Sequence, residues 1–494
     1  MAAALKLYRT GKFDEAVAAY NAIVPAGGPE AAAAYAGLAR VYLQRKNPAD
    51  AYAAALKAVA LTPDRAPAIV ALGEVYYRQG KISEAEMNFL KPLQACNLDA
   101  RAYLGLNRIY RATLNWKRAK TNIDQAYQLD PGDPDIRRAY LATLGGAERI
   151  KALREYLAGD TDDDAEARER LKNELTVLEG ESDHPQSVCR LVTKVSSTET
   201  RLERLLLDSQ HIRKYALAVK VNGVSSRLML DTGAGGIVID RKIAEKAGIK
   251  SIVDDKLGGI GDKGEASAYL GHADKIQIGE LEFENCFVQV VSGRSVIGDD
   301  GLIGANVFSH FLVDVDMPNE KFKLSQLPPI PNESTGEISL ESHATARRQL
   351  HDRYIPPEMK DYTKILLIGH ALLIPTSVNS FPPKLFLIDT GSFDNTLSVA
   401  TAKEVTKISQ SEVQVKGLSG NVKNVYSASK ATIVFSHFKQ EREDLLTFDL
   451  THMSDSVGTE VSGVLGFAML RLLDLKIDYR DGLVNFTYDK ERFH

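Results

Sequence analysis

The sequence predicts a multidomain chain of the α plus all-β class, in which an N-terminal α-solenoid precedes a β fold with two lobes. Three observations indicate this. Residues 1–131 repeat with a period near 34, residues from about 186 switch to short alternating apolar runs, and Asp-Thr-Gly occurs twice in that second region. Paired helices repeat at about this period, and alternation of apolar and polar residues is typical of strands.

The composition indicates a soluble globular protein. The 494 residues are 44% hydrophobic and 26% charged, with a net charge of −4 and a pI near 6.3. This balance gives no reason to expect a nucleic-acid partner. No apolar run approaches the roughly 18 residues of a transmembrane helix. The start, MAAALKLYRTGKFDEA, lacks the basic and apolar regions of a signal peptide, and it enters a helix abruptly, as a trimmed chain would.

The repeat is defined by small residues that recur in one frame. Its marker alanines are spaced 35, 34 and 34 residues apart, at Ala16, Ala51, Ala85 and Ala119. Small residues let antiparallel helices approach closely, and the pattern resembles the tetratricopeptide repeat. We expect about four repeats over 1–131, the first with a short leading helix. Connecting helices are expected over 132–182, near 134–158 and 163–179. The array is interpreted equally as a docking surface for a protein partner or as a spacer.

The β region divides at a stretch rich in Pro, Ser, Glu and Gly, QLPPIPNESTGEISLES. We therefore predict a first lobe over 186–328, a linker over 329–352 and a second lobe over 353–494. The two lobes match each other at fixed offsets. A glycine follows each Asp-Thr-Gly aspartate by 28 residues, an apolar-apolar-Gly element comes next, and Asp316 and Asp478 stand twelve residues beyond. This agreement indicates an internal duplication.

The duplicated motifs carry a family resemblance. Asp231-Thr232-Gly233-Ala234 and Asp389-Thr390-Gly391-Ser392, each followed by apolar-apolar-Gly, resemble the active-site signature of aspartic peptidases. The Ala form is similar to retropepsin-like lobes and the Ser form to pepsin lobes. The resemblance covers about 186–492. Tetratricopeptide repeats ahead of retropepsin-like domains are a combination known in bacteria, and this chain resembles one.

The resemblance implies an aspartic endopeptidase that hydrolyses an extended polypeptide. Asp231 and Asp389 would share one proton and activate a water molecule between them, without metal or cofactor; aspartic peptidases are the standard example of such coupling. The neighbouring residues would support the pair. Threonines would hydrogen-bond across the two loops and glycines would permit close approach; these residues are Thr232, Gly233, Ala234, Thr390, Gly391 and Ser392.

Two glycine-containing turns, LGGIGDKG and VKGLSGN, are predicted to be flaps that close over the substrate. The flap candidates are Gly259, Gly261, Gly417 and Gly420. Tyr269 and Tyr426 follow these turns, and we expect them to have packing roles rather than the role of the pepsin flap tyrosine.

The two motifs also differ from each other. Ala234 lacks the hydroxyl that Ser392 offers, so Asp389 is expected to be the better supported anion. Asp394 places an extra carboxylate near the second motif, where it would either raise the pKa of the pair or face solvent; we expect exposure to solvent.

Two alternatives remain. The β fold could be a catalytically inactive binding or scaffold protein, or lobes could pair between chains, with Asp231 meeting Asp231 of another molecule.

The three cysteines Cys96, Cys189 and Cys286 suggest neither a disulfide framework nor a metal site, and we expect each to be buried and free. An acid-favouring peptidase with a trimmed N-terminus fits an extracytoplasmic site slightly better than the cytoplasm.

Overall fold

The computed structural model describes residues 1–96, 98–159, 165–183, 189–260, 266–291, 300–331, 351–417 and 420–491. The predicted linker over 329–352 therefore lies largely outside the described residues, and Gly261 lies wholly outside them. The chain divides into two compact units, a helical unit formed mainly by residues 1–183 and a β-rich unit formed by most of the remainder. The predicted order, helical region first and β-rich region second, is confirmed. No described helix is both long and apolar enough to cross a membrane.

The helical unit contains eleven described α-helices. In order they are α1 (Ala2–Arg9), α2 (Phe13–Asn21), α3 (Gly28–Gln44), α4 (Pro48–Leu61), α5 (Ala66–Arg78), α6 (Ile82–Ala95), α7 (Ala100–Ala112), α8 (Trp116–Leu129), α9 (Pro134–Leu141), α10 (Gly146–Ala158) and α11 (Ala165–Asp183).

Small residues lie where these helices cross. The marker alanines are fully or almost fully buried. A Cβ on Gly37 would overlap the ring of Tyr20, and one on Gly105 would overlap the ring of Phe89. An aromatic ring on one helix thus packs directly on the backbone of its neighbour, which explains why the sequence repeats a small residue at these positions.

One helix expected over 134–158 is instead two, α9 and α10. Asp133 caps α9 by accepting hydrogen bonds from the N–H groups of Asp135 and Ile136. Helix α9 ends at Leu141, and residues 142–145 separate it from Gly146, the first residue of α10, whose φ of 51° is left-handed. The prediction of one continuous helix was therefore wrong.

A buried polar network links alternate helices of this unit. Arg101 on α7 donates to Glu74 on α5 and to Asp135 on α9, at 2.8 and 2.9 Å, and it also bonds Asp133. Tyr8 on α1 donates to Asp135 at 3.0 Å. Burial raises the pKa of Tyr8. Burial opposes ionisation of Asp135, but the neighbouring arginines outweigh it and lower its pKa. The network therefore joins the first helix to the ninth through ionised side chains.

The first β segment (residues 189–331) forms a nine-stranded sheet. Its strands are β1 (Arg190–Leu191), β3 (Glu203–Leu206), β4 (Ile212–Val221), β5 (Val224–Asp231), β6 (Ile237–Asp240), β7 (Ser251–Leu257), β8 (Ala266–Ile278), β9 (Leu281–Val291) and β10 (Gly301–Gly304). The described order is β1-β9-β6-β10-β5-β4-β8-β7, with β3 on β4. Helix α12 (Arg241–Lys246) follows β6, and β2 (Ser197–Arg201), β11 (Phe311–Asp316) and β12 (Lys321–Gln326) lie in another sheet.

The second β segment (residues 351–491) repeats this arrangement. Its eight-stranded sheet contains β14 (Leu366–Ile368), β15 (Ala371–Val378), β16 (Lys384–Asp389), β17 (Thr396–Ser398), β18 (Ile408–Gln410), β21 (Val425–Phe435), β22 (Phe438–Phe448) and β23 (Gly463–Gly466). The order β16-β23-β17-β22 corresponds to β5-β10-β6-β9 of the first segment. The remaining elements are β13 (Thr363–Lys364), β19 (Lys416–Gly417), β20 (Gly420–Asn421), β24 (Asp474–Asp478), β25 (Leu483–Thr487), α13 (Val399–Val405), α14 (Thr451–Val457) and α15 (Phe467–Leu470).

A third sheet, which we call the shared sheet, takes strands from both segments in the order β13-β25-β24-β11-β12-β2. At its centre β11 pairs antiparallel with β24, so that Val313 lies opposite Ile477 and Val315 opposite Leu475. All four side chains are fully buried. The two β segments therefore hold a common core.

The prediction for the cysteines was wrong in two respects, the absence of a disulfide and the burial of Cys96, whereas Cys286 is buried as expected. Cys189 and Cys286 form a disulfide, and Cys96 is exposed. Strand β1 pairs with β9 in the register Arg190 opposite Glu284, which brings the two cysteines together across a separation of 97 residues. Such long-range pairing cannot be recognised from cysteine spacing.

Candidate active site

Both Asp-Thr-Gly aspartates lie at the ends of buried strands. Asp231 ends β5 and Asp389 ends β16. In each segment that strand pairs in parallel with the apolar-apolar-Gly strand, which places Gly304 opposite Asp231 and Gly466 opposite Asp389. In each segment, the Asp-Thr-Gly motif and the apolar-apolar-Gly element are thus adjacent in space. The parallel strand lies beside the aspartate and supports the turn that follows it.

The two aspartates face each other across the β-rich unit. A Cβ on Gly233 would lie 2.5 Å from the carboxyl carbon of Asp389, and a Cβ on Gly391 would overlap the carboxylate of Asp231. Each carboxyl group therefore rests on the glycine of the opposite motif. Any larger residue at either glycine would displace the carboxyl group, which is why the motif requires glycine at these two positions.

Threonines lock the two loops together through four hydrogen bonds. The Oγ1 of Thr232 donates to the carbonyl of Ile388 at 2.9 Å and accepts from the N–H of Thr390 at 3.0 Å. The Oγ1 of Thr390 donates to the carbonyl of Leu230 at 2.9 Å and accepts from the N–H of Thr232 at 3.0 Å. Both side chains are buried, so no water competes for these bonds.

The two carboxyl groups receive unequal support. Oδ1 of Asp389 accepts from the N–H groups of Gly391, at 2.7 Å, and Ser392, at 3.0 Å. Oδ1 of Asp231 accepts from the N–H of Gly233 at 2.8 Å. Burial raises the pKa of Asp231 well above its usual range, and the charge of Asp389 and a hydrogen bond between the two side chains raise it further. The backbone N–H groups therefore support the carboxyl group of Asp389 more than that of Asp231.

The expected asymmetry has a different source from the one predicted. The hydroxyl of Ser392 donates to the carbonyl of Asp394 at 3.5 Å, and it is the backbone N–H of Ser392 that supports Asp389. The N–H of Ala234 bonds the main-chain carbonyl of Asp231 instead. The carboxylate of Asp394 is half-buried and forms an ion pair with Arg442 at 2.9 Å, so neither predicted role for its charge is observed.

The predicted flaps lie in two long hairpins. Gly259 follows β7 of the β7–β8 hairpin, while Gly417 ends β19 and Gly420 begins β20, between β18 and β21. A Cβ on Gly417 would overlap the main-chain carbonyl of Ile260. The two hairpins therefore meet at Ile260 and Gly417. Tyr269 packs against the main core, as expected for a packing role.

Three further titratable side chains of the site were not predicted. The amine of Lys214 donates to the carbonyl of Thr390 at 3.0 Å. His370 lies against the first motif, since a Cβ on Gly235 would be 2.9 Å from its Nδ1, and burial lowers its pKa. Burial and the charge of Asp231 raise the pKa of Tyr479.

The side chain of Lys214 was missed because the alternation of strand β4 places it on the same face as Ala218 and Lys220, which are exposed. That face becomes buried only at the end of the strand nearest the aspartates.

No group of three or more His, Cys, Asp or Glu residues within the described ranges is arranged to hold a metal ion.

Parts of this chain are similar in sequence to known proteins. A family model described as an aspartyl protease matches residues 217–307, which include Asp231. Curated relatives are proteins named DNA damage-inducible protein 1. The one from Chaetomium globosum is 22% identical over 231 residues, covering 44% of this chain and 51% of the relative. The one from Neurospora crassa is 27% identical over 165 residues, covering 31% and 36%.

The chain thus spans at most about half the length of these relatives, which are eukaryotic, so the predicted bacterial type receives no support. A thermophilic TPR protein of Thermus thermophilus is 20% identical and covers 36% of this chain and 95% of its own, with a TM-score of 0.28. That similarity does not establish the type of helical repeat. The matched protease domain and the named relatives together support a protease-type function.

Proposed function

We propose that this protein is an aspartic endopeptidase whose catalytic pair is Asp231 and Asp389. The observation that carries the proposal is the juxtaposition of the two carboxyl groups, each resting on the glycine of the opposite motif. The reciprocal threonine bonds fix this arrangement. Both β segments come from one chain, so the site needs no second molecule and pairing of Asp231 with its copy in another chain is unnecessary.

In the proposed reaction a water molecule binds between the two carboxyl groups. The anionic Asp389 removes a proton from the water as the oxygen attacks the scissile carbonyl carbon. The protonated Asp231 donates a hydrogen bond to the developing oxyanion. The proton taken up by Asp389 then passes to the leaving nitrogen, and the C–N bond breaks. The pair returns to its starting state, with Asp389 ionised and one proton on Asp231. The unequal backbone support of the two carboxylates favours this division of roles.

The substrate in this proposal is a polypeptide in extended form. The hairpins that carry Gly259 and Gly417 would cover it and supply backbone hydrogen bonds, as flaps do. Glycine suits the position where the hairpins meet, since a side chain at Gly417 would separate them. Gly261 and Gly420 remain flap candidates. Two lobes at 186–328 and 353–494, joined by the 329–352 linker, remain the proposed domain plan.

We further propose that the helical region, with tetratricopeptide-like repeats over 1–131, presents substrate or tethers the enzyme to a protein partner. The members of the Arg101 network are mostly buried, so partner contacts would come from the side chains around it. The disulfide between Cys189 and Cys286 favours an oxidising, extracytoplasmic compartment. The rival proposal, an inactive scaffold, retains the same fold and loses only the chemistry.

The deciding experiment measures cleavage of denatured casein from pH 3 to 7. It compares the intact chain with Asp231→Asn and Asp389→Asn, each with and without a pepstatin-type inhibitor. Loss of cleavage in both variants supports one site built from both segments. Loss in only one variant supports pairing between chains. Equal cleavage in all three proteins, or none in the intact chain at any pH, favours the scaffold proposal, and circular dichroism checks that the variants are folded.

A further inference from the structure

Lys214 is a buried cation beside the two aspartates. Lys214 is 6% exposed and lies on β4 of the first β segment. Its Nζ donates to the main-chain carbonyl of Thr390, which immediately follows Asp389 in the second segment. The same Nζ lies 5.2 Å from the centre of the Phe467 ring. A buried ammonium group is costly to desolvate, so its position here requires compensation from carbonyl, ring and carboxylates.

The strand register shows that this cation occurs in one segment and not in the other. Ala216 on β4 lies opposite Met229, two residues before Asp231, and Leu373 on β15 lies opposite Leu387, two residues before Asp389. The positions two residues before Ala216 and Leu373 are therefore equivalent. They are Lys214 and Ala371. At this position the approximately two-fold arrangement therefore has a lysine in one segment and an alanine in the other.

We infer that Lys214 is a positioning residue that ties the first segment to the Asp389 loop and makes Asp389, rather than Asp231, the ionised member of the pair. This inference rests on the proposed function, since it assigns the roles within that site. The hydrogen bond holds the backbone immediately after Asp389. The charge acts through space, because a cation near two carboxyl groups stabilises their ionised forms, and this cation is held on the loop that follows Asp389.

The electrostatic environment agrees with this assignment. Burial lowers the pKa of Lys214 to about 8, and Asp389 opposes that shift more strongly than Asp231 does. Arg213 adds to the lowering. Among the described residues, His370 and Tyr479 are further titratable groups near the pair; burial lowers the pKa of His370, and burial and the charge of Asp231 raise that of Tyr479. Lys214 therefore remains a cation at and below neutral pH, the range in which the carboxyl pair changes its protonation.

The test compares Lys214→Met, which keeps the alkyl stem and removes the charge, with Lys214→Arg, which keeps the charge. Lys220→Met on the exposed face of the same strand is the matched control. Two properties are measured in each protein. One is the pH profile of kcat/KM on denatured casein, and the other is the pH titration of the Asp231 and Asp389 carboxyl carbons in protein labelled with ¹³C-aspartate. The NMR signals are assigned with the Asp231→Asn and Asp389→Asn variants.

We expect Lys214→Met to move both limbs of the kcat/KM profile upward by about one pH unit, and the carboxyl titrations by a similar amount. Lys214→Arg should restore the profile at least in part, and Lys220→Met should match the intact chain. Unchanged titrations in a folded Lys214→Met would overturn the inference. If the intact chain cleaves nothing, the proposed function fails, and the titrations alone still decide what Lys214 does to the pair. If Lys214→Met does not fold, Lys214→Gln, which also removes the charge, replaces it under the same expectations.

Discussion

Replacing Thr232 with valine should show how much the threonine lock, the four hydrogen bonds made by the Thr232 and Thr390 hydroxyls, contributes to stability without changing the aspartates. Valine has nearly the shape of threonine but lacks the hydroxyl, so packing is kept and only hydrogen bonds are lost. The change removes the bond from Oγ1 to the Ile388 carbonyl and the bond from the Thr390 N–H to Oγ1. Two buried backbone groups of the second β segment, the Ile388 carbonyl and the Thr390 N–H, then each lose a hydrogen bond.

The expected cost follows from these two groups. Leaving one buried donor or acceptor unpaired costs about 1–3 kcal/mol, so Thr232→Val should destabilise the β-rich unit by about 2–6 kcal/mol. Thr390→Val removes the two other bonds of the lock and should cost a similar amount. No hydrogen bond is common to both side chains. The two residues nevertheless belong to one network, because each hydroxyl accepts a bond from the main chain of the other, so the cost of the double variant should differ from the sum of the single costs.

Amide hydrogen exchange measures this effect locally, without requiring the whole chain to unfold in one step. In Thr232→Val the N–H of Thr390 should exchange at least about 10-fold faster, which corresponds to about 1.4 kcal/mol. Thr232→Ser keeps the oxygen and serves as the control. Unchanged protection of the Thr390 amide, together with a loss of stability below about 0.5 kcal/mol, would refute the reasoning that these bonds hold the two loops.

Three further predictions concern stability. Replacing Cys189 and Cys286 by serine should lower the free energy of unfolding by up to about 4–5 kcal/mol, because the disulfide closes a loop of 97 residues; in urea unfolding, a reductant should weaken the intact protein and leave the variant unchanged. Burial, and next the charge of Asp481, raise the pKa of Asp478 from 3.8 to about 6. The folded state thus holds this proton more tightly than the unfolded state, and stability falls as the pH rises from about 4 to 6. Asp478→Asn should therefore raise the melting temperature at pH 7 but not at pH 4, and equal shifts at both would contradict this. Arg101→Met should destabilise the helical unit by about 3–5 kcal/mol, because it leaves the buried carboxylates of Glu74 and Asp133 without this ion-pair partner. Unfolding of the helical unit can be measured by the fluorescence of Trp116 on α8. Unaltered unfolding would show that the network is not required for stability.

The parts of the site that the sequence predicts are those encoded within a few residues. Each Asp-Thr-Gly follows an apolar strand, and fixed offsets relate each motif to its apolar-apolar-Gly element. The structure places Gly304 and Gly466 directly opposite the two aspartates. These relations depend on local turns and on a repeated spacing, both of which are visible in one sequence.

The remaining features depend on distant pairing. Lys214 lies on a strand face that is exposed at Lys220 and buried at its other end, so alternation along β4 assigns it to solvent. The disulfide requires the pairing of β1 with β9. The additional support for Asp389 comes from the backbone N–H of Ser392, which cannot be predicted from the type of side chain. In the helical unit, residues 142–145 interrupt what was predicted as one helix.

The shared sheet has a consequence for how the protein can be divided. Because β11 and β24 exchange backbone hydrogen bonds and bury apolar side chains together, the peptide link between the β segments is not what keeps them associated. A chain nicked between residues 331 and 351 should stay in one piece. The link instead raises the effective concentration of each half for the other and fixes their ratio at one to one. The two halves of the site are thereby always present together, so they can differ from each other, with a lysine in one where the other has an alanine.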